Sequence, residues 1–400
     1  MYNLSKLISE KGYPDALIDH HHSSSPNYAI YGFEEEFIIN HNGISMMNDK
    51  ELKGNPLINF QKTLDSWKKV GGHISAFGFI SYDIKNLIYP NLNFKKIDSS
   101  FPLLWFGKPK KIFPYRIMGS EKIIKQCSLK LKDEFINFEN YKKKINIIKN
   151  HLYKGDCYQI NFTHPFYYET HDDSFELYMN LRKKVKPLYG CFLNNKNYSI
   201  LSFSPESFIK TNNNIIESYP MKGTIKRSNN KSIDNKLLNK LKNSSKDKAE
   251  NLMIVDLIRN DLGKICKNNS IKVDSLFKIE SFPTVHQMTS KIIGKLKEDN
   301  IDESKIIFSL FPGGSITGAP KQRSIEIIDY LENYNRGIYT GCMGYITNSG
   351  DINLNIAIRT LKIINQIGIY PVGGGIVWDS VAKNEWLEAI QKTKILSLLN

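Results

Sequence analysis

Arginine is scarce in this chain. Only Arg116, Arg182, Arg227, Arg259, Arg323, Arg336 and Arg359 occur, and lysine supplies the rest of a formal net charge of +15. Basic surfaces attract phosphate, yet bidentate reading of bases and phosphates favours the planar guanidinium. The lysines are scattered among abundant Asn, Ile and Tyr, so no nucleic-acid partner is expected. Cysteine is scarce too: Cys127, Cys157, Cys191, Cys266 and Cys342 are five in number and show no Cys-x-x-Cys spacing. That argues against a disulfide frame or zinc site and predicts reduced thiols in a cytoplasmic protein. There is no run of about 18 apolar residues, and Met1-Tyr2-Asn3-Leu4-Ser5-Lys6 lacks a signal core. A soluble, unexported chain with no membrane partner is expected.

Four hundred residues can bury a large core, as two or three domains or as one large α/β fold. No Pro/Gly/Ser linker divides the chain, and no short-period repeat runs through it. Residues 1–120 read as β-rich. In them His20-His21-His22 and Ser23-Ser24-Ser25 form a polar loop, with a metal-binding tract or tag remnant as alternatives. Leu57, Phe60, Leu64 and Trp67 fall on one stripe of a helix predicted over 57–70 and closed by Gly71-Gly72; a strand follows over 73–83. The mixed polar stretch 110–132 is a soft boundary to a second part, 135–400. There Tyr141, Ile145, Ile148 and Leu152 mark a helix over 138–154, stopped by Gly155. Strands are expected over 156–162, 198–210, 215–221, 271–279, 284–296, 337–346, 353–364 and 367–372, and helices near 246–260, 321–332 and 382–399. Periodicity alone gives an α/β or α+β class.

One stretch carries the chemistry. In Ile215-Ile216-Glu217-Ser218-Tyr219-Pro220-Met221-Lys222-Gly223-Thr224 a β-prone run meets a proline, and Lys222 stands directly before a predicted Gly-Thr turn. Proline presets that turn and glycine permits close backbone approach, which would aim the amine into a cleft. In so lysine-rich a chain such a residue is ordinarily surface, but carboxylates accompany this one. Ser202-Phe203-Ser204-Pro205-Glu206-Ser207-Phe208 presents Glu206. Asp247 with Glu250, and Glu385 with Glu388, recur at a spacing that puts both members of each pair on one helix face. Read alone, these pairs are ordinarily solvated acidic faces; facing each other across a cleft, they would bind a hard cation such as Mg2+.

Phe311-Pro312-Gly313-Gly314-Ser315-Ile316-Thr317-Gly318-Ala319-Pro320-Lys321 is a glycine-rich loop entering a helix. Thr317 is its expected cap, and free N–H groups at such an end favour anions. The loop lacks the Gly-Lys-Ser/Thr ending of a nucleotide-binding P-loop. Gly373, Gly374 and Gly375 follow a predicted strand, where bare backbone can donate N–H groups to a carboxylate. Tyr339 and Arg359 have a plain reading as strand residues, although an arginine in an apolar strand needs an anionic partner.

At these residues the sequence resembles the chorismate-utilising enzymes, the family of anthranilate, isochorismate, salicylate and aminodeoxychorismate synthases. The resemblance is carried by Pro220-x-Lys222-Gly223-Thr224, by Gly155-Asp156-x-Tyr158-Gln159-x-Asn161 and by the highly specific Gly314-Ser315-x-Thr317-Gly318-Ala319-Pro320-Lys321. It is nearly unbroken from Gly155 onward, and Gly78-Phe79-x-Ser81-Tyr82-Asp83 extends it towards the N-terminus. Regulated relatives bind tryptophan through an Asn-Pro-x-Pro-Tyr motif; Val185-Lys186-Pro187-Leu188-Tyr189 lacks its asparagine and second proline, so no tryptophan pocket is predicted.

The resemblance implies one large α/β (α+β) domain of two facing β-sheets with helices outside, the stretch 135–400 binding chorismate. It implies Lys222 as nucleophile, where anthranilate synthases carry alanine, and Glu206 as proton donor. Glu250 and Glu388 match direct Mg2+ ligands, and Asp247 and Glu385 match outer-sphere positions. Gly223, Thr224, Tyr339, Gly373, Gly374 and Gly375 match substrate contacts, Arg359 faces the enolpyruvyl carboxylate, His286 matches a histidine near the ring, and Lys392 neighbours Glu388.

The implied reaction replaces the ring C4 hydroxyl of chorismate by an amine. Lys222 attacks C2 as the protonated hydroxyl leaves C4, and ammonia then enters at C4 and expels the lysine. No Gly-x-Cys-x-Gly elbow occurs, although Gly341-Cys342-Met343-Gly344 approaches one, so the ammonia is expected from a separate glutamine amidotransferase subunit. No length remains after Asn400 for a fused pyridoxal-phosphate lyase, which makes 4-amino-4-deoxychorismate the expected product. The alternatives are an anthranilate synthase large subunit and a non-catalytic scaffold for the amidotransferase.

Overall fold

The computed structural model describes residues 1–21, 26–68, 73–97, 99–117, 125–282, 285–297 and 301–399. His22 to Ser25, the Gly71-Gly72 helix stop, residues 118–124 of the expected boundary, Thr284 and Asn400 lie outside the described residues. The described strands form one hydrogen-bonded network with two wings, joined by the long antiparallel pair Asn27–Ile39 and Leu104–Arg116.

One wing runs from that pair through Ile74–Ile80, Cys342–Thr347, Ile352–Ile356, Ser207–Asn212 and Ile215–Tyr219 to Val285–Lys295 and Lys272–Ser281. The other runs through Ala16–Asp19, Tyr189–Asn194, Ser199–Ser204, Thr360–Ile364 and Ile367–Ile376 to Gln159–Glu169. All these pairings are antiparallel.

The wings face each other because both put apolar side chains inward. Ile18, Leu193 and Ile200 of one pack with Phe77, Phe79 and Met343 of the other in a single buried cluster. Their outer faces are covered by helices, Pro56–Trp67, Ser245–Gly263 and Glu303–Leu310 on the first wing and Ser174–Val185 and Ala382–Thr393 on the second. Strands covered on both sides read as continuous apolar runs, and every residue of Ile74–Ile80 and Ser199–Ser204 is buried. Full burial of one such phenylalanine contributes about 1.5–3 kcal/mol. Among the described residues no helix is long and apolar enough to cross a membrane, and all five cysteines are buried and unpaired.

Four expected strands are broken, each at a residue singled out above; the run over 215–221 parts at Pro220 into Ile215–Tyr219 and Met221–Lys226. The run over 198–210 divides at Pro205-Glu206 into Ser199–Ser204 and Ser207–Asn212, one in each wing. The run over 353–364 divides at 357–359 into Ile352–Ile356 and Thr360–Ile364, with Arg359 at φ +50°. At these two breaks the chain crosses between wings, and the crossings touch: the Ile356 N–H donates to the Glu206 carbonyl at 3.0 Å, and the Phe203 N–H to the Arg359 carbonyl at 3.1 Å. The run over 337–346 is strand only from Cys342, which leaves Tyr339 in a turn.

Candidate active site

Lys222 is presented by the strand Met221–Lys226, and the turn expected at Gly223-Thr224 is instead a bulge. Pairing with Val285–Lys295 shifts register between Met221 and Thr224, where Gly223 adopts φ +79°. A Cβ on Gly223 would stand 2.9 Å from Asp247 Cγ. Glycine is therefore required twice, for the left-handed backbone and for the contact, and such a bulge re-aims the neighbouring side chain. Lys222 is half-buried, and its charge acts on Glu206, Glu250 and Glu388. Thr224, one step further on, is exposed.

Glu206 sits on the wing crossing, where Pro205 has no N–H to continue a ladder. Its side chain accepts from the Ser315 hydroxyl and the Met221 N–H, yet it is only 5% exposed, and burial pushes its carboxyl up to about 7 against those bonds and the Lys222 charge. Desolvation outweighs the favourable partners.

The two carboxylate pairs meet across the cleft. Ser244 caps the helix Ser245–Gly263, its hydroxyl accepting from the Asp247 N–H at 3.2 Å, so Asp247 lies in the first turn, where negative charge is favoured. One turn on, burial holds Glu250 above the usual carboxylate range; Lys222 and Lys246 oppose this, while Asp247 and Glu385 reinforce it. Glu385, 8% exposed in the first turn of Ala382–Thr393, is raised by burial and by Glu388, with the Ser380 hydroxyl opposing. Glu388 shifts the other way. Burial would raise it, but Lys392, Lys246 and Lys222 together bring it below the usual range.

Lys392 donates to Glu388 Oε1 at 2.9 Å and to the Gly373 carbonyl at 2.7 Å. Gly373, Gly374 and Gly375 lie inside the strand Ile367–Ile376, not after it. A Cβ on Gly373 would come within 2.1 Å of the Phe162 carbonyl, and one on Gly374 would point at Glu385, Glu388 and Lys392 from 3.6–3.8 Å. The glycines keep the strand flush against both the Gln159–Glu169 strand and the acidic helix.

Among the described residues no three acidic, histidine or cysteine side chains already converge as a closed metal cage. The donors at hand are all oxygen, and Mg2+ typically keeps several waters and shares its site with an anionic ligand. Burial first, and like-charge crowding after it, raise Glu250 and Glu385, and a bound cation would offset both. The donor set fits magnesium.

Tyr339 is buried, in a turn whose Arg336 carbonyl accepts the Tyr339 N–H at 3.1 Å. Arg359 is held below the usual guanidinium range by burial, with Tyr370 opposing. The Tyr370 hydroxyl lies in the field of both Arg359 and Tyr339 and donates to the Lys392 carbonyl at 3.4 Å. Tyr339, Arg359, Lys392 and the glycine strand are thereby brought together.

Two expectations differ. Both ring nitrogens of His286 are engaged, Nδ1 with Ser281 Oγ at 2.7 Å and Nε2 with Asp234 Oδ1 at 3.1 Å, leaving neither for a ligand. Thr317 does not cap the helix Lys321–Leu331: Pro320 holds that position, and the Thr317 hydroxyl donates to the Gly313 carbonyl at 2.9 Å. Three further residues were missed. Ser315 binds Glu206, and Tyr370 joins Arg359 to Tyr339. Gln159 is fully buried, and among the described residues neither of its amide atoms has a partner; it lies 3.0 Å from where a Gly375 Cβ would stand. Its place in the quoted Gly155-to-Asn161 motif was the one available signal.

The chorismate binding enzyme family matches residues 19–397. Aminodeoxychorismate synthase component 1 of Escherichia coli (strain K12) is 42% identical over 254 residues, 64% of this chain and 56% of that protein, so the match spans about half the relative's length. Anthranilate synthase component 1 of Saccharolobus solfataricus is 32% identical over 332 residues, 80% of this chain and 79% of that protein. Among solved structures, anthranilate synthase component I from Streptococcus pneumoniae has a TM-score of 0.80 at 25% identity, covering 94% of this chain and 93% of that one. The menaquinone-specific isochorismate synthase of Escherichia coli shares the fold, with a TM-score of 0.76 at 15% identity, covering 100% of this chain and 91% of that one. Matched over nearly its whole length, the chain belongs to the chorismate binding enzymes.

Proposed function

We propose that this chain converts chorismate and ammonia into 4-amino-4-deoxychorismate through a covalent adduct on Lys222. The observation that carries the reading is that the Lys222 amine shares one cleft with Glu206, a carboxyl still half protonated near neutral pH, and with Glu250 and Glu388.

Hydroxide leaves poorly, so the C4 hydroxyl needs an acid. Glu206 gives its proton to that oxygen, which departs as water, while the Lys222 amine, its own extra proton first given up to solvent, bonds to C2 and the ring double bonds shift. The adduct nitrogen keeps its proton. Ammonia then bonds to C4, the double bonds return, Lys222 leaves as a neutral amine, and the new ammonium hands a proton back to the Glu206 carboxylate. The buried, unbonded Gln159 amide beside Gly375 is available to orient the incoming ammonia. Tyr339, Arg359 and the Gly373–Gly375 backbone take the substrate's carboxylate ends, with Gly223 and Thr224 beside the nucleophile. Glu250 and Glu388, with Asp247 and Glu385 behind them, would hold Mg2+, which when bound neutralises carboxylate charge and draws electron density as the leaving group departs.

The names of the component 1 relatives speak of a second component, and the ammonia donor in this reading is a separate glutamine amidotransferase in the cytoplasm. Intact-protein mass spectrometry tests the core of the proposal. With chorismate and Mg2+ but no ammonia, the protein should gain the mass of chorismate less one water, and Lys222→Ala should not. An unmodified wild type refutes the adduct. Anthranilate fluorescence on adding ammonia, with no lyase present, would place the chain in the anthranilate branch.

A further inference from the structure

Among the described residues Lys362 is a buried cation without an ion pair. It lies on the strand Thr360–Ile364, where Leu361 joins the outer core and Lys362 turns between the wings, 8% exposed. Its ammonium stands 4.4 Å over the Phe101 ring, and among the described residues no carboxylate reaches ion-pair distance; Asp83 is the charge that acts on it from further off. A buried charge in that condition is costly.

Beside it opens a cavity of about 280 Å3; among the described residues its lining has no acidic side chain, and the one other cation there, Arg336, is already neutralised by Glu332 at 2.8 Å. The cavity has aromatic walls: Phe135 lies 6.4 Å from Tyr167 and 5.9 Å from Tyr334, ring centre to ring centre. Thr360 and Tyr339 add hydroxyl-bearing side chains. The volume falls just under the roughly 300–1,000 Å3 of sites for drug-sized ligands, room for one substituted ring.

We propose that this cavity binds a small aromatic carboxylate, its anionic end on Lys362 and its ring between Phe135, Tyr167 and Tyr334. Unpaired burial holds the Lys362 amine down at about 8, a cost that a carboxylate partner would offset. The cavity shares Tyr339 with the candidate active site, so an occupant there would bear on a substrate contact without entering the Lys222 cleft. The proposal does not depend on which reaction Lys222 performs.

Benzoate is the probe, titrated calorimetrically into the full chain. One saturable site is expected, and it persists with chorismate at saturation, its affinity shifted only through the shared Tyr339. The uncharged benzamide, and benzoate with Lys362→Met, should each bind at least about tenfold more weakly, as the loss of a desolvated charge pair implies. Absence of saturable binding, displacement by chorismate, or equal binding to Lys362→Met overturns the proposal. Should Lys362→Met fail to fold, Phe135→Ala at the 39% exposed rim replaces it, and unchanged affinity there counts against the site.

Discussion

Replacing Glu206 with glutamine should make the protein more stable and nearly inactive. A glutamate ordinarily titrates near 4.5; burial holds this one at about 7. The folded state therefore binds the proton more tightly than the unfolded chain. Below pH 4.5 both states are protonated and the residue carries no penalty. Between 4.5 and 7 the unfolded chain ionises first, and folding loses stability as pH rises. Above 7 both are ionised and the full penalty, about 3 kcal/mol at about 1.4 kcal/mol per tenfold, remains. With the side chain only 5% exposed, solvent screens little of it. Glutamine keeps the shape and can still accept from the Met221 N–H, without the charge. At pH 8 the variant should gain up to about 3 kcal/mol, which for a chain of this length is about 4 °C in Tm; at pH 4 the two proteins should melt together. Turnover should fall by about 10^2–10^4-fold, the usual worth of a positioned acid. Melting curves of both proteins from pH 4 to 8 decide it. A stability difference that does not grow with pH, or one that favours the wild type at pH 8, refutes the argument from burial.

Lys222→Ala should abolish the adduct in the mass spectrum and allow some amination at C2, detected as anthranilate-type fluorescence. Gly223→Ala should cost about 1–2 kcal/mol in urea unfolding for its left-handed backbone and slow adduct formation, because the added methyl displaces Asp247. Glu385→Gln should raise the Mg2+ concentration for half-maximal activity by about 10–100-fold, as changes behind a metal ligand do. Arg336→Met should destabilise the fold by about 3–5 kcal/mol in the same unfolding assay. It leaves the buried Glu332 without its cation and removes the guanidinium's bonds to the Ile316 and Asn161 carbonyls, which help tie the glycine-rich loop to the second wing.

The helices were legible because their stripes are local. Tyr141, Ile145 and Ile148 sit on the buried face of Phe138–Tyr153 as their spacing requires, and Pro56–Trp67 buries Phe60, Leu64 and Trp67. Strand ends were not legible. With both sheet faces covered, burial along runs such as Ser199–Ser204 does not alternate and so does not show where one wing stops, and only Pro205 hinted at the crossing. At 357–359 nothing hinted: a non-glycine residue takes φ > 0 through contacts made elsewhere, and Arg359 looks locally like a strand arginine. His286 went unread for the same reason, since its partner Asp234 lies in a helix far away in sequence.

The site sits at those crossings for a physical reason. Along a strand every backbone group is claimed by the ladder, and a side chain between the wings that is neither apolar nor paired is costly, as at Lys362. Where the chain steps from one wing to the other, the ladder lapses and backbone and side chains can turn to a ligand. Glu206 and Arg359 occupy the two steps, linked to the neighbouring strands by single hydrogen bonds, and the Gly223 bulge is a third lapse that frees Lys222. Burial at such a place makes a carboxyl reluctant to ionise and a guanidinium short of a counter-ion. Under the proposed function, the same desolvation prepares an acid for the leaving hydroxyl and a cation for the substrate's carboxylate, and it disfavours the folded state until the substrate arrives.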